Sequence, residues 1–154
     1  MDDAARQALR DLVRGERLLS LAVLVEAAPV IGVLPFVATP DARALVVQAA
    51  GLARHSRGMG ENAPYEAAIH AGVPQGGDPL AAPRLIVRGH VEWLDDESPE
   101  YRADAAAYLE RFPSAEMTAQ LPDFRFYRLR LEGGRLITGF ARALNLSRDH
   151  FEGI

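Results

Sequence analysis

The residues Leu52-Ala53-Arg54-His55-Ser56-Arg57 come directly after an apolar run at residues 44–49, and they decide how the rest of the chain is interpreted. The apolar run predicts a buried strand, so the polar residues form the turn that follows it. Guanidinium, imidazole and hydroxyl groups close together are the groups that bind a phosphate monoester. An Arg-rich turn is also a common solvated surface, and the turn alone leaves both interpretations open.

Two further segments alternate between apolar and polar residues, as strands with one buried face do. Residues 84–93 read Arg-Leu-Ile-Val-Arg-Gly-His-Val-Glu-Trp, and residues 122–131 alternate again after Pro122-Asp123. The pair Gly133-Gly134 predicts a turn, because glycine is favoured in turns. We therefore expect residues 124–131 and 135–141 to form the last hairpin.

The remaining elements follow from periodicity and from turn residues. Helical patterns occupy residues 4–15, 52–61 and 101–112, and strand patterns occupy residues 17–25, 30–38, 44–49, 65–71 and 85–94. Many short strands with few helices predict a mainly β fold, an antiparallel barrel that is closed or nearly closed. We expect one domain over residues 1–154, with an N-terminal helix and a helical insertion near residues 98–120.

Composition excludes several classes of function. The chain has no Cys and a formal net charge of −4, and all its basic residues are Arg. A thiolate metal site, a Lys Schiff base and the basic patch of a nucleic-acid-binding protein are therefore excluded. The four His residues lack the spacing of a metal site. We expect His70 and His90, on predicted strands, to be structural.

The N-terminus lacks the features of a signal peptide, and the apolar run at residues 18–38 is interrupted by Glu26, Pro29 and Pro35. Two successive buried strands explain this run better than a membrane helix does. We therefore expect a cytoplasmic protein without membrane or nucleic-acid partners. Residues 30–34 are apolar on both faces, which predicts a homodimer that covers the outer one.

Three motifs carry a resemblance to a known family. They are Leu-Ala-x-His-Ser-Arg at residues 52–57, Gly-Asp-Pro-Leu-Ala-x-Pro-Arg-Leu at residues 77–85, and Pro-Asp-Phe at residues 122–124 followed by Gly-Phe-x-Arg-Ala at residues 139–143. In this order they resemble the pyridoxamine 5'-phosphate oxidase-like FMN-binding split barrels, in the branch that includes haem-utilisation proteins. The resemblance covers roughly residues 8–143 and implies a Greek-key split β-barrel.

The resemblance also implies a cofactor site, with FMN held at the interface of a homodimer. The implied cofactor-binding residues are Gln48, His55, Ser56, Arg57, Phe140 and Arg142. Gln48 would line the ring or the ribityl side of FMN. The phosphate would be approached by His55, Ser56 and Arg57. The site would be closed across the interface by Phe140 and Arg142. Apolar walls for the flat ring would come from Leu34, Pro35, Phe36 and Leu52.

The function implied is that of an FMN-dependent oxidoreductase that acts on a small molecule, with no catalytic residue assigned. A haem-binding or haem-degrading protein is one alternative, and a barrel that holds no cofactor is the other. Gly58 stands where many relatives carry Asn, which favours the cofactor-free barrel. Some haem-binding relatives place an axial His in a C-terminal extension that this sequence does not have, which counts against haem degradation.

Overall fold

The computed structural model describes residues 1–139 and 142–154, so Phe140 lies outside the described residues. The strands are β1 (Leu18–Val25), β2 (Ala28–Ala38), β3 (Ala44–Ala50), β4 (Pro64–His70), β5 (Arg84–Glu92), β6 (Phe124–Arg130), β7 (Gly133–Gly139) and β8 (Arg142–Ser147). The α-helices are α1 (Asp3–Arg10), which continues into a π-helical turn (Asp11–Gly15), α2 (Pro99–Arg111) and α3 (Glu116–Ala119). Short 3-10 helices lie at Arg54–Gly58, Pro113–Ala115 and Arg148–Phe151.

The strands form an antiparallel barrel, which confirms the predicted fold class. Their order is β4-β1-β2-β3-β6-β5, and pairing between β4 and β5 closes the ring. Strand β5 pairs with β4 along one edge. Its other edge pairs with β7 over Arg84–Arg88 and with β6 only at Val91 and Glu92. Strands β6 and β7 therefore share one edge of β5 and separate from each other beyond this short contact. This separation is the split that gives a split barrel its name.

The predicted last hairpin is wrong. Strand β7 pairs with β5 and β8, while β6 pairs with β3 and β5, so β6 and β7 follow one another along the same edge of β5. Gly133 and Gly134 begin β7 instead of forming the turn. A Cβ atom on Gly134 would clash with the backbone carbonyl of Ile86, which explains why glycine is needed there.

The barrel interior is filled by the inward residues of each strand, and α1 closes one end. Leu9 of α1 and Leu12 and Val13 of the π-helical turn are buried in the same core as the strands. Asp2 caps α1 by accepting a hydrogen bond from the backbone N–H of Ala5 at 2.8 Å. The helix is amphipathic, and Ala5 and Leu9 lie on its buried side.

Helices α2 and α3 lie on the outside of β2, β3 and β6, and we call this side of the barrel the covered face. Its second core contains Val46, Tyr108, Phe112 and Phe126. Asp104 of α2 accepts two hydrogen bonds from the Arg128 guanidinium, at 2.6 and 3.0 Å. These contacts fix the helical layer to the barrel. No helix in the described part of the chain combines the length and the apolarity needed to cross a bilayer.

Candidate functional site

The Arg54–Gly58 turn follows β3 and packs against β1 and β2. The His55 ring lies over Gly32, since a Cβ atom there would be 2.7 Å from Nδ1 of His55. Burial lowers the pKa of His55. Its Nε2 atom is buried and has no hydrogen-bond partner among the described residues. His55 is therefore a neutral packing residue of the turn.

Ser56 and Gly58 fasten the same turn to the strands. The Ser56 hydroxyl donates a hydrogen bond of 2.6 Å to the carbonyl oxygen of Ala50, at the end of β3. A hydroxyl has one proton, so Ser56 has no second proton to donate to an anion. Gly58 is buried against Val23 and against the carbonyl of Leu24, where a Cβ atom would be 2.7 Å away. The polar groups of the turn thus serve first to hold it in place.

The two arginines of the turn point the other way. Arg54 and Arg57 are exposed, and neither makes a hydrogen bond or an ion pair with any residue that the structure describes. Elsewhere on the barrel, Arg125, Arg128 and Arg130 all pair with carboxylates. Arg57 is the predicted phosphate-binding residue whose charged group is free for a ligand.

The structure does not bring Gln48 to the turn's exposed side. Gln48 is 8% exposed on the covered face, where its Oε1 accepts a hydrogen bond of 2.7 Å from the hydroxyl of Thr118. Its Nε2 is buried without a partner among the described residues. The alternation of β3 causes this placement, because Gln48 shares the outward face of Val46, which α2 and α3 cover.

Arg142 lies at the opposite end of the barrel from the turn. It begins β8 and pairs with exposed Asp2 at 3.4 Å. The neighbouring strand β7 meets β5 at Arg84, whereas Met59, directly after the Arg54–Gly58 turn, accepts a hydrogen bond from the Trp93 side chain, beyond His90 at the other end of β5. At about 3.3 Å per residue these ends are roughly 20 Å apart. Arg142 and Arg57 therefore do not meet within one chain.

In the part of the chain that the structure describes, no helix lies over the outer sides of β1, β4, β5 and the first part of β2, up to Val33, and we call this side the bare face. Ile31 is 69% exposed and Val33 is 63% exposed, on adjacent outward positions of β2. Leu34 and Phe36, which the sequence suggests as walls for a flat ring, point into the core instead. Exposed apolar surface of this kind marks a binding or association site.

A groove of about 580 Å³ crosses the bare face. Its lining includes Ala22, Leu24, Pro29, Pro64, Glu66, Arg88, His90 and Glu132. We call the apolar lining residues, Ala22, Leu24, Pro29 and Pro64, the floor of the groove. We call its charged or ionisable residues, Glu66, Arg88, His90 and Glu132, the rim. A volume of this size is typical of sites for small molecules and cofactors.

The rim contains a contact between a histidine and a carboxylate that the sequence pattern does not reveal. Nδ1 of His90 lies 3.0 Å from Oε2 of Glu132, and the two side chains are 50% and 42% exposed. The alternation of β5 places His90 on the outward face with Arg88, which was visible in the sequence. The contact with Glu132 was not visible in the sequence, because Glu132 lies 42 positions away, in the link between β6 and β7.

Solved structures share this fold. A haem-binding protein from Mycobacterium smegmatis matches 98% of this chain and 61% of its own length, with a TM-score of 0.86 and 23% identity. HutZ, the haem storage protein from Vibrio cholerae, matches 87% of this chain and 89% of its own length, with a TM-score of 0.70 and 24% identity. An FAD- and haem-binding protein from Mycobacterium smegmatis matches 92% of this chain and 71% of its own length, with a TM-score of 0.59 and 19% identity.

No protein-family model matches the sequence, and no curated protein does. The chain spans less than two thirds of the length of the first of these structures. The identities are low, so the likeness concerns the fold. The closed antiparallel barrel and these structural neighbours together show that the chain has a split β-barrel fold, as the sequence predicts.

Proposed function

We propose that this protein binds FMN on the bare face, as a cytoplasmic homodimer, and that it is a flavin-dependent oxidoreductase for a small molecule. The observation that carries the proposal is the position of Arg57. Its guanidinium is exposed and free of carboxylates among the described residues, and Gly58 next to it packs against Leu24 at the edge of the groove. The free cation therefore belongs to a turn that touches Leu24, one of the residues that line the groove.

The phosphate of FMN requires this kind of group. It has nearly two negative charges at neutral pH, and an Arg fork binds such an anion through paired, charge-assisted hydrogen bonds. We assign this contact to Arg57, with Arg54 of the same turn as a second cation. His55 and Ser56 contribute by holding the turn, through Gly32 and Ala50.

The flat ring of FMN requires apolar walls, which the bare face offers. Ile31 and Val33 are exposed on β2, next to Leu24 of β1 at the groove. A second copy of the chain on this face would cover what the ring leaves open, since two-fold pairing is the usual way to cover such a surface. The pairing would also let Arg142 of the second copy approach the cofactor.

The residues of the chain would position the cofactor and exclude water, and the flavin would supply the redox chemistry. Arg54 and Arg57 fix the phosphate end, and the apolar floor of the groove fixes the plane of the ring. A structural neighbour described as an FAD- and haem-binding protein supports a flavin on this fold.

The experiment is an FMN titration, followed by fluorescence, of the wild type and of Arg57→Ala. Loss of one charge-assisted contact is worth about 1.5–3 kcal/mol, so we expect the dissociation constant to rise by about ten- to a hundredfold. Arg102→Ala, which removes an exposed Arg from α2 on the covered face, is the matched control. Riboflavin lacks the phosphate and should bind all three proteins alike. Equal FMN affinity in the wild type and Arg57→Ala would refute the phosphate assignment.

Haem is the second candidate, and a specific observation favours it. His90, the most common kind of haem ligand, lies at the rim of the apolar groove with a carboxylate behind it. Two of the structural neighbours are described as haem-binding or haem-storage proteins. A Soret band that saturates at one haem per chain during a hemin titration would support this candidate. The absence of such a band would exclude it.

A further inference from the structure

We propose that His90 is the axial ligand for the iron of a haem in the bare-face groove, and that Glu132 orients it. This inference rests on haem, the second candidate above. It assigns a role to two residues that the family motifs do not include, and it arises from their geometry in this chain.

The contact with Glu132 fixes which nitrogen of His90 is available. The Glu132 carboxylate accepts a hydrogen bond, so the proton of a neutral His90 ring lies on Nδ1, at 3.0 Å from Oε2. Nε2 then carries the lone pair, and it has no hydrogen-bond partner among the described residues. Metal-bound histidines commonly have a carboxylate behind the other ring nitrogen, which fixes the ring and makes it a stronger ligand.

The surroundings of His90 match the two kinds of surface on a haem. The apolar floor of the groove, with Ala22, Leu24 and Pro29, suits the porphyrin plane. Arg88 lies two positions before His90 on the same face of β5, at about 7 Å along the strand. It is exposed and makes no ion pair with a described residue, so it is free to bind a haem propionate.

The other histidines lack this arrangement. His55 is packed against Gly32 of β2. His70 lies on the outward face of β4, but its Nδ1 is next to the carbonyl of Ala71, at 3.3 Å. His150 caps the last 3-10 helix by accepting a hydrogen bond of 3.0 Å from the backbone of Ser147. Among the described residues, His90 alone pairs an imidazole with a carboxylate at the edge of an apolar groove.

The test is a hemin titration of the full chain, with absorption, electron paramagnetic resonance and resonance Raman spectra as readouts. We expect His90→Ala to weaken hemin binding at least tenfold and to lose the signature of histidine ligation. Free imidazole should restore that signature. His70→Ala is the matched control, an exposed His from the same face, and it should behave as the wild type does. Glu132→Gln should keep the histidine ligation but lower the iron–histidine stretching frequency. The amide of Gln is neutral, so it lacks the negative charge that the Glu132 carboxylate places next to Nδ1 of His90.

Each outcome decides the proposal. If His90→Ala binds hemin with the spectra of the wild type, or if His70→Ala loses histidine ligation instead, the ligand assignment is overturned while haem binding stands. If the wild type does not bind hemin, both the haem candidate and the ligand assignment fail. The FMN titration of the wild type and Arg57→Ala does not depend on the outcome of these hemin titrations.

Discussion

The two outer sides of this barrel are built from the same kind of alternating strand, yet they are completed differently. On the covered face, outward residues of β3 and β6 such as Val46 and Phe126 are buried under α2 and α3. On the bare face, Ile31 and Val33 occupy equivalent outward positions and remain exposed. The chain supplies its own cover for one apolar surface and leaves the other open.

The charged residues follow the same division. On the covered face, Arg128 is held by Asp104. Arg88 on the bare face and Arg57 on the turn have no carboxylate partner among the described residues. Charges that are satisfied within the chain stabilise the fold, whereas free charges beside apolar surface are available to a ligand. The covered face is therefore structural, and the bare face is where we place binding.

The largest effect on folding should come from the covered face. Phe126 is buried there against Tyr108, with ring centroids 5.3 Å apart. Phe126→Ala should lower the free energy of unfolding by about 3–5 kcal/mol, because it leaves a cavity and removes aromatic contacts. Urea denaturation measures this, and a loss below about 1 kcal/mol would show that the helical layer is not a packed core.

The ion pair of the covered face should have a smaller effect. Asp104→Ala leaves the partly buried Arg128 without its bidentate partner, and Glu92 is still nearby at 3.8 Å. We expect a loss of about 2–3 kcal/mol, less than for a fully buried pair, because water and Glu92 compensate part of the charge. Glu110→Ala, at an exposed position of α2, is the control and should change stability by less than about 0.5 kcal/mol. Equal losses in both variants would refute a specific role for the pair.

The smallest effect concerns His55, which packs over Gly32 of β2. Burial lowers the pKa of His55 in the folded protein, so the unfolded chain binds the proton more strongly. Stability should therefore be complete above the pKa of an unfolded histidine, about 6.5, and should decrease as the pH falls below it. Urea midpoints at pH 7.5 and pH 5.5 measure the decrease, which should be smaller in His55→Gln. An identical pH dependence in the two proteins would contradict the packing role.

Much of the fold could be predicted from the sequence, because strand alternation depends only on neighbouring residues. The pairing of β7 could not. The double glycine Gly133-Gly134 is typical of a turn, and only the approach of the β5 backbone at Ile86 shows why small residues are required in a strand.

The site was predictable to a smaller extent. The motif identifies the turn that contains His55, Ser56 and Arg57, but it does not show that the first two face the barrel while Arg57 faces water. His90 and Glu132 are 42 positions apart, and only the topology brings them together. Side-chain direction at a turn and contacts between distant elements are tertiary properties, which local patterns do not contain.

The central claim is that the bare face binds the cofactor and a second copy of the chain. It is tested most directly by comparing Ile31→Glu with Met117→Glu. Both residues are exposed and apolar, at 69% and 80%, but Met117 lies on α3 of the covered face. Each substitution should cost less than about 1 kcal/mol of stability, because neither side chain is buried.

The measurement is light scattering of both variants, together with an FMN titration. The account predicts that Met117→Glu remains a dimer, at twice the chain mass of 16.8 kDa, with the FMN affinity of the wild type. Ile31→Glu should be a folded monomer that has lost FMN binding, because a carboxylate on the bare face opposes both the pairing and the phosphate. A dimeric Ile31→Glu that binds FMN as tightly as the wild type does would contradict the account.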